Sequence, residues 1–109
     1  MQAPTGAVWT ALADPTRRAI IERLTRGPTR VTDVAAPFDM SLNAVSKHIK
    51  VLEAARMVRR TRQGREHTIE LDPAPLREVT RWASELEQFW SARLDRIERF
   101  FTDKQRKGS

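Results

Sequence analysis

The chain of 109 residues is long enough for one domain with a modest core, and its 20 basic and 14 acidic residues give a net charge of +6. With 31% charged and 39% hydrophobic residues, its composition excludes wholesale disorder. It contains no cysteine, which excludes disulfides and thiolate metal sites. No apolar run approaches the ~20 residues of a membrane span, and the first residues lack a signal-peptide core. We therefore expect a cytoplasmic protein that does not bind membranes.

The N-terminal part of the chain, residues 5–40, is predicted to form helices. The first covers 5–13, and its apolar side carries Val8, Trp9 and Leu12. Asp14 can cap a second helix that begins at Pro15, where the missing N–H costs nothing. The buried stripe of this second helix comprises Ala19, Ile20, Ile21 and Leu24. Gly27 and Pro28 end it, as a left-handed glycine followed by proline commonly does.

A short third helix and a longer fourth helix are predicted next. Thr32 can cap a helix over 33–38, which Pro37 keeps short. A turn over 38–40 leads to a helix over 41–55 with Ser41 as its cap. Two helices joined by so tight a turn predict a helix-turn-helix.

The helix over 41–55 has two chemically different faces. Its apolar stripe repeats at spacings of three and four and consists of Leu42, Val45, Ile49 and Leu52. The opposite face carries Asn43, Lys47 and Lys50, with Ser46 beside them. The DNA major groove accepts a helix, and Asn, Ser and Lys side chains can hydrogen-bond base edges and phosphates there. This pattern favours a helix that reads DNA.

Residues 57–71 are predicted to form a hairpin, the wing of a winged helix-turn-helix. Two strands over 58–63 and 66–71 are joined by a turn at Gly64 and Arg65. Basic residues cluster around the tip, namely Arg59, Arg60, Arg62 and Arg65. We expect the segment 60–65 to bind DNA phosphate or the minor groove.

The net charge of the chain lies in one segment. Residues 41–65 contain seven basic residues and one acidic residue, Glu53, a net +6. The rest of the chain balances at 13 basic and 13 acidic residues. Such a concentration is typical of a protein that docks on phosphates through one surface.

A long last helix is predicted over 74–101, with prolines at 73 and 75 marking its start. A polar tail over 102–109 follows it. About 26 residues without internal Gly or Pro span roughly 39 Å, more than one small domain can cover. We therefore predict a homodimer in which this helix, with Trp9 and Leu12, packs on its twin. The predicted interface on the helix consists of Leu76, Val79, Trp82, Ala83, Leu86, Phe89, Trp90, Leu94 and Ile97. The predicted class is mainly α with a small β-hairpin.

Two motifs and the wing turn resemble the ArsR/SmtB family of winged-helix repressors. They are ALADPTRRAIIERL at 11–24, SLNAVSKHIKVLEAA at 41–55, and Gly64-Arg65. The LDPAPL segment at 71–76 and the aromatic helix after it look like a metal-independent branch, often encoded beside START-like ligand-binding proteins. The resemblance implies a homodimer that binds an inverted repeat in double-stranded DNA and represses an operon. It also implies DNA contacts from Ser41, Asn43, Ala44, Ser46, Lys47 and His48.

One position departs from the family pattern. Where the family usually has glycine at the exit of the DNA-reading helix, this chain has Arg56. A left-handed backbone there would strain Arg56 by ~1 kcal/mol. Alternatively, Arg56 adds a phosphate contact, or the helix runs one residue longer.

The sequence predicts neither a metal site nor a cofactor. A thiolate site on the third helix would find only Asp33, and no histidine follows His67 for a site on the last helix. His48 and His67 are separated by a helix end and a strand and form no ligand pair. His48 is either packed and hydrogen-bonded or a phosphate contact, and we expect His67 to be structural.

The same sequence patterns also bear on whether the protein is an enzyme and on what it binds. Ser46 and His48 do not face each other on a helix, and no glycine-rich phosphate loop is present, so we do not expect an enzyme. The aromatic residues Trp82, Phe89 and Trp90 form either interface core or a small-molecule pocket, and the sequence names no effector. The alternative function is a winged-helix protein-interaction module without specific DNA binding.

Overall fold

The computed structural model describes the backbone of residues 2–107 and the side chains of residues 2–104. In chain order its elements are α1 (Gly6–Leu12), α2 (Pro15–Leu24), β1 (Thr29–Arg30), α3 (Val31–Ala35), α4 (Leu42–Ala54), β2 (Val58–Gln63), β3 (Glu66–Leu71) and α5 (Ala74–Lys107). The strands form an antiparallel sheet in the order β1-β3-β2. The mainly α, winged helix-turn-helix class predicted from the sequence is confirmed, and the wing is the β2–β3 hairpin.

Local capping chemistry determines where α2 and α4 begin. The Asp14 carboxylate accepts the backbone N–H of Arg17 at 3.1 Å, with Pro15 as the first helical residue. The Ser41 hydroxyl oxygen accepts the backbone N–H of Ala44 at 3.1 Å. These bonds satisfy donors that have no partner inside the helix, so each helix starts where the sequence predicts.

The region before the helix-turn-helix differs from the prediction. Thr32 does not cap a helix over 33–38, because α3 begins at Val31 and ends before Pro37. Thr29 of β1 pairs with Ile69 of β3. Because β1 is paired in this way, the backbone is extended immediately before α3 begins. A two-residue strand has no periodicity of its own, so the sequence carried no signal for it.

The hydrophobic core lies where α1 to α4 meet the sheet. Its buried members are Val8, Ala11, Ile20, Ile21, Leu24, Val31, Val34, Val45, Ile49, Leu52, Ala55, Met57, Val58 and Ile69. Leu42 was predicted to join this stripe, but its surface is 50% exposed. It is the first residue of α4 and lines a groove between this helix and the wing.

The last helix is longer than predicted. α5 continues to Lys107 instead of ending near 101, because residues 102–107 contain no glycine or proline to stop it. The predicted tail over 102–109 is therefore helical as far as it is described, and residues 108–109 lie outside the described part. The molecule measures 77 × 26 × 23 Å along its principal axes, so α5 projects from the domain. Over the described residues no helix is both long and apolar enough to cross a membrane.

The predicted dimer residues divide into two groups. Leu12, Leu76 and Val79 are partly buried against the core of their own domain, and their place in a dimer interface stays a prediction. The first turns of α5 contact α1. The rings of Trp9 in α1 and Trp82 in α5 stack edge-to-face, with centroids 5.1 Å apart. The remaining predicted residues are exposed and comprise Ala83, Leu86, Phe89, Trp90, Leu94 and Ile97.

Candidate nucleic-acid interface

The outward face of α4 carries the predicted base-reading side chains. Asn43, Lys47 and Lys50 are exposed and follow each other at spacings of four and three, so they share one face. Ala44 and Ser46 are half-buried beside them. The cap bond between Ser41 and Ala44 fixes the start of this face, because it ties the Ser41 side chain to the first turn. The inner face of the same helix is anchored in the core.

His48 lies on a different side of α4 and packs within the domain. Its Nδ1 is 3.2 Å from Nη1 of Arg17 and 3.7 Å from Oδ2 of Asp14, and its side chain is 20% exposed. A guanidinium can only donate, so His48 Nδ1 accepts this hydrogen bond. Of the two roles left open by the sequence, the structure therefore shows the packed, hydrogen-bonded histidine.

Arg17 is a residue whose role the sequence did not reveal. Its Nε donates to the carbonyl oxygen of Ala11 at 2.9 Å and its Nη2 to that of Thr10 at 2.7 Å. One guanidinium thus binds the last turn of α1 and His48 of α4. The backbone N–H of Arg17 also lowers the pKa of the Asp14 carboxyl. The contact with His48 joins elements 31 residues apart, so no local pattern marks it.

The wing tip presents two arginines around its glycine turn. Gly64 has a left-handed φ of 60°, a conformation that glycine adopts without strain. Nε of Arg62 donates to the Gly64 carbonyl oxygen at 3.1 Å and so leaves the charge of Arg62 unneutralised. Arg65 is exposed. Among the side chains of residues 2–104, neither arginine forms an ion pair within 4.0 Å.

Arg60, predicted to bind DNA, points into its own domain. Its Nη2 and Nε donate to Oε1 of Glu53 at 2.8 and 3.2 Å, and its Nη1 donates to Nδ1 of His67 at 3.1 Å. The Arg60 side chain is 23% exposed, and that of Glu53 32%. The structure therefore shows Arg60 paired within its own domain, and its contact with DNA stays a prediction. The bond to Arg60 supports the structural role expected of His67.

The remaining charges define a basic surface. Arg59 lies 3.7 Å from Glu70 and Arg60 is paired with Glu53. In the described side chains, the cations of segment 41–65 without an ion pair are Lys47, Lys50, Arg56, Arg62 and Arg65. A groove of about 400 Å³ lies between α4 and the wing, and its lining includes Ser46, Arg60, Arg65 and His67. The unneutralised positive charges on α4 and at the wing tip suit a polyanion.

Arg56 adopts the left-handed conformation at the exit of α4. Its φ is 59°, and the helix ends at Ala54 without the extra residue considered above. The N–H of Met57 donates to the carbonyl oxygen of Leu52 at 3.0 Å, and the N–H of Arg56 donates to that of Glu53 at 2.9 Å. These two bonds form a Schellman motif, in which glycine is the usual left-handed residue. Arg56 therefore carries backbone strain.

The donors available for a metal ion are dispersed. Within the described residues, no group of three or more His, Asp or Glu side chains is arranged to hold a metal ion. His48 Nδ1 and His67 Nδ1 are both occupied by arginine donors.

Comparison with known proteins agrees with this geometry. A family of helix-turn-helix domains matches residues 12–61. The HTH-type transcriptional regulator Rv2034 of Mycobacterium tuberculosis is 43% identical over 86 residues, which cover 79% of this chain and 78% of that protein. The transcriptional repressor SdpR of Bacillus subtilis is 31% identical over 75 residues, which cover 69% of this chain and 83% of that protein.

A solved structure shows the same architecture. The crystal structure of an ArsR family transcriptional regulator matches with a TM-score of 0.77 and 39% identity, covering 83% of this chain and 97% of that one. Fold and surface define a winged helix-turn-helix transcriptional regulator with a DNA-binding domain. The chain belongs to the ArsR/SmtB family, which confirms the resemblance noted in the sequence.

Proposed function

We propose that this protein is a homodimeric, sequence-specific DNA-binding repressor. The observation that carries the proposal is the set of five cations without an ion pair on α4 and the wing, next to the exposed polar face of α4. In this proposal Asn43 and Lys47 read base edges in the major groove, and Lys50 binds there too. Arg62 and Arg65 bind phosphates beside the groove. The repressor name of the Bacillus subtilis relative supports the direction of regulation.

The dimer in this proposal forms through the uncovered apolar stripe of α5. Trp90 is 58% exposed, and Phe89, Leu94 and Ile97 are also exposed in the single chain. Apolar surface of this extent marks an interaction site, and an identical helix is complementary to it in length and pattern. A twofold dimer presents two copies of α4, so we propose an inverted-repeat operator with half-sites about one helical turn apart.

We further propose that release from DNA does not depend on a metal ion and that the protein is not an enzyme. A metal sensor needs several convergent ligands, and the described His, Asp and Glu side chains offer no such group. The transcriptional-regulator relatives support a binding function. Such a function is carried out beside the chromosome, in the cytoplasm.

The experiment that tests the proposal measures binding to the DNA upstream of the protein's own gene and to a scrambled fragment, across a salt series. We expect sequence-selective binding whose log affinity falls linearly with log salt, with a slope of about −0.9 per phosphate contact. Equal and weak binding to both fragments, together with a stable homodimer, would favour the protein-interaction module instead.

Two kinds of side chain should respond differently in this assay. Lys47→Ala should change the preferred sequence by about 1–3 kcal/mol at the base pair that Lys47 reads. Arg65→Ala should weaken binding to all sequences alike and reduce the salt slope by about 1, because it removes a phosphate contact. Arg62→Ala should behave like Arg65→Ala. An Arg62→Ala variant with changed sequence choice but an unchanged slope would contradict the role given to the wing.

A further inference from the structure

Arg60 connects three elements of the DNA-binding half through one guanidinium. Two of its nitrogens donate to the same carboxylate oxygen of Glu53, which belongs to the last turn of α4. A third nitrogen donates to His67 Nδ1 on β3, while Arg60 itself belongs to β2. We call Glu53, Arg60 and His67 the Arg60 cluster. All three side chains are at least partly shielded from solvent.

The cluster lies at the point where the wing leaves the domain. At the base of the hairpin, Val58 and Ile69 are buried in the core. Beyond the cluster, residues 61–66 are exposed, and Glu66 forms an exposed ion pair with Arg30 of β1 at 3.1 Å. Arg60 pairs across the strands with Ile69, and His67 is the diagonal neighbour two residues further on. The cluster is therefore the outermost contact between the wing and the end of α4.

We infer that the Arg60 cluster fixes the orientation of the wing relative to α4, and that Arg60 is a positioning residue which does not contact DNA. The inference rests on the proposed function and extends it. The distance between the base-reading face of α4 and the wing arginines decides whether both reach one DNA segment. A hydrogen-bonded guanidinium with planar geometry holds that distance better than a flexible single contact.

The charge of Glu53 supports this role. It is the sole acidic residue of segment 41–65, the segment that is proposed to bind a polyanion. On electrostatic grounds alone, removing this carboxylate would strengthen DNA binding, because it removes repulsion. If Glu53 instead orients the wing through Arg60, its removal weakens binding. The two explanations therefore predict changes of opposite sign.

The test uses the full chain with three variants. Glu53→Gln removes the carboxylate charge of the cluster, and Arg60→Met removes the guanidinium but keeps an apolar stem. The matched control is Glu70→Gln, because Glu70 lies on the same hairpin and forms an ion pair with Arg59, at 3.7 Å, outside the Arg60 cluster. Affinity for the operator fragment is measured across a salt series for each variant. Amide hydrogen exchange over residues 60–68 is measured in the protein without DNA.

We expect Glu53→Gln and Arg60→Met to weaken DNA binding by about three- to thirtyfold with an unchanged salt slope. Glu70→Gln should bind as tightly as the wild type or more tightly. Wing amides should exchange faster in the two cluster variants than in Glu70→Gln. Tighter binding by Glu53→Gln, or a slope reduced by about 1 in Arg60→Met, would overturn the inference, since Arg60 would then be a phosphate contact.

The hydrogen-exchange measurement separates this inference from the proposed function. If the wild type shows no selective DNA binding but the cluster variants exchange faster, the cluster still orients the wing and the proposed function fails. If wing amides exchange alike in all variants, the inference fails, whatever the wild type binds.

Discussion

Helices α4 and α5 are both amphipathic, yet they expose opposite faces to their surroundings. In α4 the apolar residues Val45, Ile49 and Leu52 are completely buried by the domain. In α5 the corresponding stripe is uncovered beyond its first turns, and Phe89 and Trp90 are among its most exposed members. The two helices have 13 and 34 residues, so only the shorter one fits within the body of the domain.

Because of this difference, α4 can position side chains for a ligand, and α5 is the proposed site of self-association. Because α4 is fixed by its apolar face, its polar face can present side chains in a defined geometry to a ligand. Because α5 is fixed only at its start, through Leu76 and Val79 and the Trp9–Trp82 contact, its apolar face is available to a second chain. The same sequence pattern therefore anchors α4 in the core of its own domain, whereas in α5 it leaves an apolar face uncovered.

The largest expected effect comes from the buried stripe of α4. Ile49→Ala should lower the free energy of unfolding by about 2–5 kcal/mol, because it leaves a cavity in the core. Leu42→Ala, on the same helix but half-exposed, should cost less than about 1 kcal/mol. Urea unfolding followed by circular dichroism measures both. Equal losses in the two variants would contradict the division of α4 into a buried stripe and an exposed first turn.

A smaller effect is expected from the uncovered stripe of α5. Leu94→Glu should weaken self-association by about 2 kcal/mol, roughly thirtyfold, because it places a charge in the proposed interface. The free energy of unfolding of the monomer should stay nearly unchanged, since Leu94 touches no core residue of its own domain. Sedimentation equilibrium measures the association.

Ala92→Glu is the matched control for that variant. It introduces the same charge two residues away, on the side of α5 opposite Leu94, where the residue is also exposed. The control should dimerise like the wild type. If both variants dissociate equally, the stripe does not form the dimer contact.

Sequence reasoning succeeded where local chemistry decides the structure. The caps at Asp14 and Ser41 follow from short-range hydrogen bonds, and the stripes of α4 and α5 follow from helical periodicity. It failed where distant segments meet. β1 exists because β3 lies beside it, and the partner of Arg60 is a glutamate on another element.

The candidate site shows the same limit. Charge counting identified a basic segment, but a count cannot distinguish among its seven cations. The structure pairs Arg59 with Glu70 and Arg60 with Glu53, which leaves five cations for a ligand. Which cations are paired depends on cross-strand register and on how α4 ends against the wing, and neither can be obtained from spacing along the chain.

The smallest expected effect comes from Arg56, the left-handed residue that follows the end of α4. Arg56→Gly should raise the free energy of unfolding by about 0.5–1 kcal/mol, or the melting temperature by several degrees, because it relieves the strain at φ 59°. The gain is partly offset by the larger entropy of glycine in the unfolded chain. Arg56→Ala keeps the strain and should melt close to the wild type. If both variants also lose about 1 in salt slope on DNA, Arg56 binds a phosphate as well. Equal melting of Arg56→Gly and Arg56→Ala would mean that the left-handed turn costs this arginine nothing.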